Sequence, residues 1–356
     1  MSFLPRVEID RAALRHNLEV ARGHAPGRRV MAVIKADGYG HGLLEVAGAL
    51  AGADAFAVAR VDEGLQLRRD RAAARILVLA GAHDADELEA AAAADLEVVV
   101  HHPRQLDLLA GHDARRPLRC WLKLDTGMNR LGFPPVECES RLERLRSLAS
   151  VAEVAGVLTH LANADDLGDD YTRRQLERFD KATGKLVLPR SAANSAGILG
   201  WPESHLDWVR PGIMLYGVSP FVAARRELRP AMSFRARLIS IKSIERGAPV
   251  GYGGDWTAPE PMRLGMVAVG YGDGYPREVP SGTPVLLRGH RVPIVGRVSM
   301  DTLTLDLRTC PHARVGDEVV LWGDGLPVEE IARAAGTIAY TLLCGITGRV
   351  RRHYRS

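Results

Sequence analysis

No apolar run in this 356-residue chain approaches the length that crosses a bilayer. The start, MSFLPRVEIDRAALRHNL, carries early charges where a signal peptide would be apolar. These absences favour a cytoplasmic protein with no membrane partner. Cysteine is scarce, confined to Cys120, Cys138, Cys310 and Cys344. None stands in a C-x-x-C pair or at metal-ligand spacing to a histidine, which argues against a structural zinc and fits a reducing compartment. Basic residues interleaved with aromatics are missing as well. Net charge is only +4, and the one dense cluster is the tail, with Arg349, Arg351, Arg352 and Arg355. A tail cluster of this kind reads as a solvated end, so no nucleic-acid partner is expected. The chain also lacks a carboxylate cage for a metal and a Ser-His-Asp arrangement.

What is present is ordinary globular material, 46% hydrophobic and 25% charged, enough to bury a sizeable core. The length suggests one large and one small domain. Short apolar, β-branched runs occur at Val30–Ile34, Ala55–Val58, Ile76–Leu79, Val98–Val100, Leu118–Leu124, Val154–Thr159, Leu186–Leu188 and Ile213–Tyr216. Amphipathic stretches such as Glu87–Ala94 and Arg173–Lys185 lie between most of them. Eight strands alternating with helices predict an α/β fold, a (β/α)8 TIM barrel. A doubly wound open sheet is the competing architecture, weakened because no glycine-rich dinucleotide fingerprint follows the first strand. Near residue 225 the texture changes to strand, turn, strand, with one late helical segment at Val328–Ala335. The expected division is a barrel over residues 1–228 and a mostly β C-terminal domain over 229–356.

Barrel enzymes carry working residues at the C-terminal ends of their strands. There the sequence places Lys35, then Lys123, Asp125 and Arg130, then His160 and Asn163, then Asn194 and Ser195, then Arg210. The set combines an amine nucleophile, several cations and hydroxyl donors. A lysine at the mouth of a buried strand can form a Schiff base with an aldehyde cofactor. A second glycine-rich loop, VGYGG, offers Tyr252. A lysine and a tyrosine on opposite faces of one carbon would supply the two bases that a racemase needs. Each residue alone has an ordinary reading: a salt-bridged lysine, a hydrogen-bonded histidine, a turn tyrosine with a phenol titrating near pH ~10, a helix-capping serine.

Taken together, the segments resemble alanine racemases, the fold-type III pyridoxal-phosphate family. The resemblance is carried by AVIKADGYGHG (Ala32–Gly42), LKLDTGMNRLGF (Leu122–Phe133), THLANAD (Thr159–Asp165), AANSAG (Ala192–Gly197), VRPGIMLYG (Val209–Gly217), GYGGDW (Gly251–Trp256), GYGDGYPR (Gly270–Arg277) and GRVSMD (Gly296–Asp301), in the family's order. It implies pyridoxal 5'-phosphate as cofactor, L- and D-alanine as substrates, and D-alanine made for peptidoglycan or broken down. It implies Lys35 as the lysine that holds the cofactor. Tyr39, Ser195, Gly212, Ile213 and Tyr340 would hold its phosphate, and Arg210, bonded to His160, would face its ring nitrogen. Arg130 would meet the substrate carboxylate. Tyr252, as second base, and Met300 would come from the partner subunit of a homodimer with shared active sites. Tyr271 would line the access channel, and Lys123 matches a lysine often carbamylated in this family.

The chain departs from the family pattern in four places. It has Asp37-Gly38 where asparagine-alanine is frequent, Gly272 where alanine is usual, Ser299 where cysteine can occur, and no proline after the RV pair of ITGRVRR. Three rivals are a broader amino-acid racemase, a decarboxylase of basic amino acids and a non-catalytic pyridoxal-phosphate carrier. The first would be expected to carry a signal peptide. The second lacks its cysteine motif, and the third would leave Met232–Ser356 surplus.

Overall fold

The computed structural model describes residues 3–70, 73–222, 225 and 227–356. The chain opens with strand β1 (Arg6–Asp10), whose last residue caps the next helix, Arg11–His24: the Asp10 carboxylate accepts the Ala13 N–H at 3.0 Å. Eight parallel strands then close into a barrel: β2 (Arg29–Val33), β3 (Ala55–Val58), β4 (Ile76–Val78), β5 (Glu97–Val100), β6 (Leu118–Lys123), β7 (Val151–Leu158), β8 (Arg190–Ser191) and β9 (Trp208–Val209). Helices between them cover the outside, so residues of β3, β4 and β5 are buried on both faces; β3 and β4 read as unbroken apolar runs, and β5 as one after Glu97, which is buried against Arg75 and the Trp121 indole N–H. Helix Tyr171–Thr183 shows how a covering helix is patterned. Thr172, Gln175, Phe179 and Thr183 form its buried stripe, three to four residues apart.

Two strands differ from expectation. The seventh is Arg190–Ser191, not Leu186–Leu188. Val187 is fully exposed and Pro189 follows, so the leucines pack from a loop, while Ser191 pairs in the barrel and donates to the Trp208 carbonyl. The eighth is Trp208–Val209. Ile213–Tyr216 is a buried 3₁₀ turn, held beneath the first helix by Asn17, whose amide donates to the Leu215 carbonyl at 3.0 Å. Apolar content marked burial correctly there, but not the conformation.

The second sheet is built on the 13-residue strand β10 (Met232–Ile244). Its first half pairs antiparallel with β1 on one side and with Glu318–Trp322 on the other. Past a register shift between Leu238 and Ser240, its second half pairs with Met262–Val267, which pairs in turn with Leu303–Asp306. The chain's last strand, Arg351–Arg355, runs parallel to β1. Residues 6–10 therefore belong to the second sheet, unlike the division drawn from texture. They alternate in burial, but their partners lie more than two hundred residues away. The helix expected at Val328–Ala335 is present as Val328–Ala334, and a second short helix, Ala339–Cys344, follows and reaches the barrel mouth. No helix among the described residues is long and apolar enough to cross a membrane.

Candidate active site

Directly after β2, the backbone around Lys35 turns left-handed. Ala36, Asp37, Gly38 and Tyr39 have φ values of 55°, 54°, 60° and 52°. Three of these carry a Cβ, and an L-residue held there costs roughly 1–2 kcal/mol. Such strain persists only where the surroundings over-determine it. Here the Asp37 carboxylate accepts the Leu43 N–H at 2.9 Å and pairs with Arg352 at 3.1 Å. Arg352 also donates to the Gly40 carbonyl at 3.0 Å, from the chain's last strand. Gly40 has φ 79°, and a Cβ there would sit 2.0 Å from the Leu343 carbonyl oxygen, so helix Ala339–Cys344 packs where only glycine fits. The departure at Asp37-Gly38 therefore has local consequences: Asp37 gains an ion pair, and Gly38 leaves the room that Val46 occupies.

The turn delivers Lys35 to a cavity of about 590 Å³ at the C-terminal end of the barrel. Lys35, Tyr39, Lys123, Arg130, His160, Ser195, Arg210, Gly212, Ile213 and Tyr340, each singled out from sequence, all line it. Four are cations, and among the described residues the only carboxylate in the wall is Asp165. Arg210 is buried, yet its guanidinium meets neutral acceptors only: Ser191 Oγ at 2.5 Å, the Thr159 carbonyl at 2.6 Å, and the Ala192 carbonyl at 3.3 Å. It also approaches His160 Nδ1 at 3.4 Å. Burial lowers its pKa to about 10. His160 is held well below its ordinary range by burial and by the cations Arg210, Lys123, Arg130 and Lys35, so it is neutral and accepts from Arg210. Burial, then Arg210 and Arg130, bring the Lys123 amine down to about 8. Burial and Arg130 lower Lys35 too, leaving a larger fraction of its nucleophilic neutral form.

Around this cationic pocket lies a set of neutral donors. Asn194 caps helix Ser195–Gly200 through the Gly197 N–H, which frees Ser195 from the capping role its position suggested. Ser195 Oγ instead accepts from the N–H groups of Gly212 at 2.9 Å and Met214 at 3.3 Å, leaving its own proton to donate. The Ile213 N–H and the Tyr39 and Tyr340 hydroxyls have no partner among the described residues. A Cβ at Gly212 would sit 2.7 Å from the Tyr39 oxygen, so the glycine lets this phenol approach the backbone. Tyr39 stacks on Tyr216 with centroids 4.6 Å apart, and the Tyr340 ring lies 5.9 Å away. Burial raises Tyr340 to about 12 and Tyr39 further, so both phenols stay protonated as donors. Hydroxyls and an unpaired N–H above a cation-rich floor suit a phosphate dianion on an aromatic ring.

Tyr252, Tyr271 and Met300 do not line the cavity of their own chain. All lie on the second domain, with 70%, 39% and 52% of their surface exposed. Tyr271 and Met300 are neighbours, because the Tyr271 N–H donates to the Ser299 carbonyl and the Gly272 N–H to the Met300 carbonyl. Gly272 is the space that admits Arg349, whose guanidinium would be 2.4 Å from a Cβ at this position. Two other strand-end residues serve loops instead: Asp125 accepts the Gly127 and Asn129 N–H groups, and Asn163 donates to Asp169. Sequence reasoning assigned no role to Asp165 or Ile338 in the cavity wall, or to Glu63 behind it. Asp165 closes the segment THLANAD, whereas Ile338 looks like any apolar residue of the second domain.

The family model of the alanine racemase N-terminal domain matches residues 9–220, and that of the C-terminal domain matches residues 231–354. An alanine racemase of Halorhodospira halophila is 53% identical over 356 residues, 99% of this chain and 98% of that protein. A biosynthetic alanine racemase of Pseudomonas aeruginosa superimposes with a TM-score of 0.96 at 45% identity over the whole of both chains. One from Bartonella henselae, solved with covalently bound pyridoxal phosphate, superimposes at 0.90 and 29% identity over 99% of each chain. With both domain models matched in order and relatives aligned end to end, the chain belongs to the alanine racemase family.

Proposed function

We propose that this protein interconverts L- and D-alanine with pyridoxal 5'-phosphate, by a two-base mechanism in which Lys35 and Tyr252 serve opposite faces of the substrate carbon. The observation that supports this most is the cavity itself: a lysine with a lowered pKa and a buried arginine without a carboxylate, ringed by hydroxyl and N–H donors. Lys35 would hold the cofactor covalently. Tyr39, Ser195, Tyr340 and the backbone of Gly212 and Ile213 would bind its phosphate, and Arg210, steadied by His160, would face its ring nitrogen. Once bound, the cofactor acidifies the hydrogen on the substrate's α-carbon. With its pKa still about 10, Arg210 keeps its proton at neutral pH and would donate to the ring nitrogen without giving that proton up. Arg130 has no carboxylate partner among the described residues and is left to take the substrate carboxylate. Lys35 Nζ would move the proton on the D face and Tyr252 Oη that on the L face.

Tyr252 reaches a cavity only if a second copy brings it there. We therefore read the active form as a homodimer in which each second domain supplies Tyr252 and Met300 to its partner's barrel, with Tyr271 at the access channel. The four cysteines are all unpaired, which supports a reducing, cytoplasmic setting. The product serves peptidoglycan synthesis or the reverse reaction serves D-alanine breakdown. Chiral chromatography of D-alanine incubated with the purified protein and cofactor tests the activity: L-alanine should accumulate to an equal mixture, and an unchanged D-alanine pool would refute it.

Lys123 is proposed to carry a carbamate, an anion set beside Arg130. Before reaction with CO₂, its amine titrates at about 8 when folded. The unfolded chain keeps that proton up to about pH 10.4, so between the two values folding releases it and stability rises with pH. In CO₂-free buffer the wild type should gain stability relative to Lys123→Met from about pH 8 to 10, by up to about 3 kcal/mol. Denaturant melts at each pH measure it, and a pH-independent difference would contradict the lowered pKa. Bicarbonate should then stabilise the wild type alone.

A further inference from the structure

Glu63 lies in the first turn of helix Val61–Asp70. Its Oε2 accepts the N–H of Ala59 at 2.8 Å and that of Arg60 at 3.2 Å. For Arg60 this is the usual work of an acidic residue in a first helical turn, taking up the N–H that the helix start leaves unpaired; Ala59 lies one residue before it. The other oxygen is not needed for that work. Glu63 Oε1 accepts the Ala36 N–H at 2.7 Å, across the gap to the loop of the neighbouring strand β2. That N–H belongs to the peptide group that begins with the Lys35 carbonyl. Holding it fixes the peptide plane, and with it the ψ of Lys35.

The other charged anchors of the left-handed turn lie beyond Lys35. Asp37 holds the Leu43 N–H, and Arg352 holds the Gly40 carbonyl. They secure the far half of the turn. Among the described residues, Glu63 is the only side chain bonded to the peptide group that adjoins Lys35. It does not line the cavity.

We infer that Glu63 is a positioning residue for Lys35, clamping the Lys35–Ala36 peptide to the end of β3 so that the amine is aimed at the cofactor aldehyde. This rests on the reading of Lys35 as the cofactor lysine. The bond it serves is a condensation: the lysine nitrogen bonds to the aldehyde carbon, and the aldehyde oxygen leaves as water, with no change of oxidation state. Glu63→Gln keeps the shape but replaces one acceptor oxygen with an NH₂ donor, so one side of the clamp opens. Glu63→Asp keeps the charge but is one methylene too short to span both sides.

The test uses full-length protein stripped of cofactor and two probes. Pyridoxal 5'-phosphate bonds to the lysine, whereas pyridoxine 5'-phosphate, an alcohol, occupies the same cradle without bonding. For Glu63→Gln, the rate at which borohydride-fixable cofactor appears on Lys35 should fall by about tenfold to a hundredfold. Its affinity for pyridoxine 5'-phosphate should be unchanged, and Glu63→Asp should lie between. If Glu63→Gln fails to fold, the same comparison on Glu63→Asp decides. An unaltered condensation rate overturns the inference. So does a parallel loss for both probes, which would make Glu63 a general support of the site. A wild-type protein that carries the label on another lysine overturns the Lys35 reading and this inference together, whereas a normal wild-type label with unaltered variants overturns only the role of Glu63.

Discussion

Lys35→Ala should leave a folded protein that binds no cofactor covalently and racemizes at least about four orders of magnitude more slowly, since attachment and one of the two bases are lost together. The side chain stands at the end of a buried strand, and its loss removes a half-buried cation from a cavity already crowded with Lys123, Arg130 and Arg210. Shedding that repulsion should spare or raise stability, so an unchanged thermal midpoint beside lost activity separates chemistry from folding. Mapping is clean because the chain has only five lysines: Lys35, Lys123, Lys181, Lys185 and Lys242. Reduction of the wild type with borohydride should place the pyridoxyl group on Lys35. The informative rival is Lys123, which shares the cavity and whose amine burial also brings down, to about 8. A label there would reverse the two roles.

Tyr252→Phe should bind cofactor normally and lose racemization by about two to four orders of magnitude, the range for removal of a general base. Tyr252 is exposed in its own chain, so losing one oxygen should alter the stability of the single chain by no more than about 0.5 kcal/mol. The sharper experiment mixes two inactive proteins. In a heterodimer of Lys35→Ala with Tyr252→Phe, one shared site would contain both intact residues and the other neither. Activity should return toward half of the wild-type value per heterodimer. If subunits demonstrably exchange and no activity returns, Tyr252 does not act across an interface.

Legibility in the sequence followed burial. Strands such as Ala55–Val58 are covered on both faces, so their apolar runs located them, and the segments of Arg29–Val33 and Leu118–Lys123 lead into Lys35, Lys123 and Arg130, which line the cavity. The signal failed where strands shrink to two residues. Arg190–Ser191 is polar because Ser191 serves as a hydrogen-bond partner of Arg210 and Trp208, and nothing local distinguishes it from a loop. Ile213–Tyr216 failed in the opposite way, being apolar and buried without being a strand. The left-handed turn after Lys35 was visible only as a glycine-bearing stretch, since its conformation is imposed by Glu63, Arg352 and Leu343 from distant segments. Pairing that spans domains leaves no local trace, and Tyr252, which does not line the cavity of its own chain, was singled out by motif and not by periodicity.

The position of β1 bears on how the chain is made. Its residues are made well before their neighbours in the sheet, which begin at Met232 and Arg351. At synthesis rates of about 5–20 residues per second, β1 waits roughly 10–45 seconds for its first partner. The barrel strands, complete by Val209, emerge within that interval. Until then the alternating charges of RVEID, Arg6, Glu8 and Asp10, guard it against pairing with another nascent chain. The same charges later find Glu318, Arg235 and Arg355 in the finished sheet. Residues 6–10 are thus fixed late, only after the segment that follows the barrel has been made.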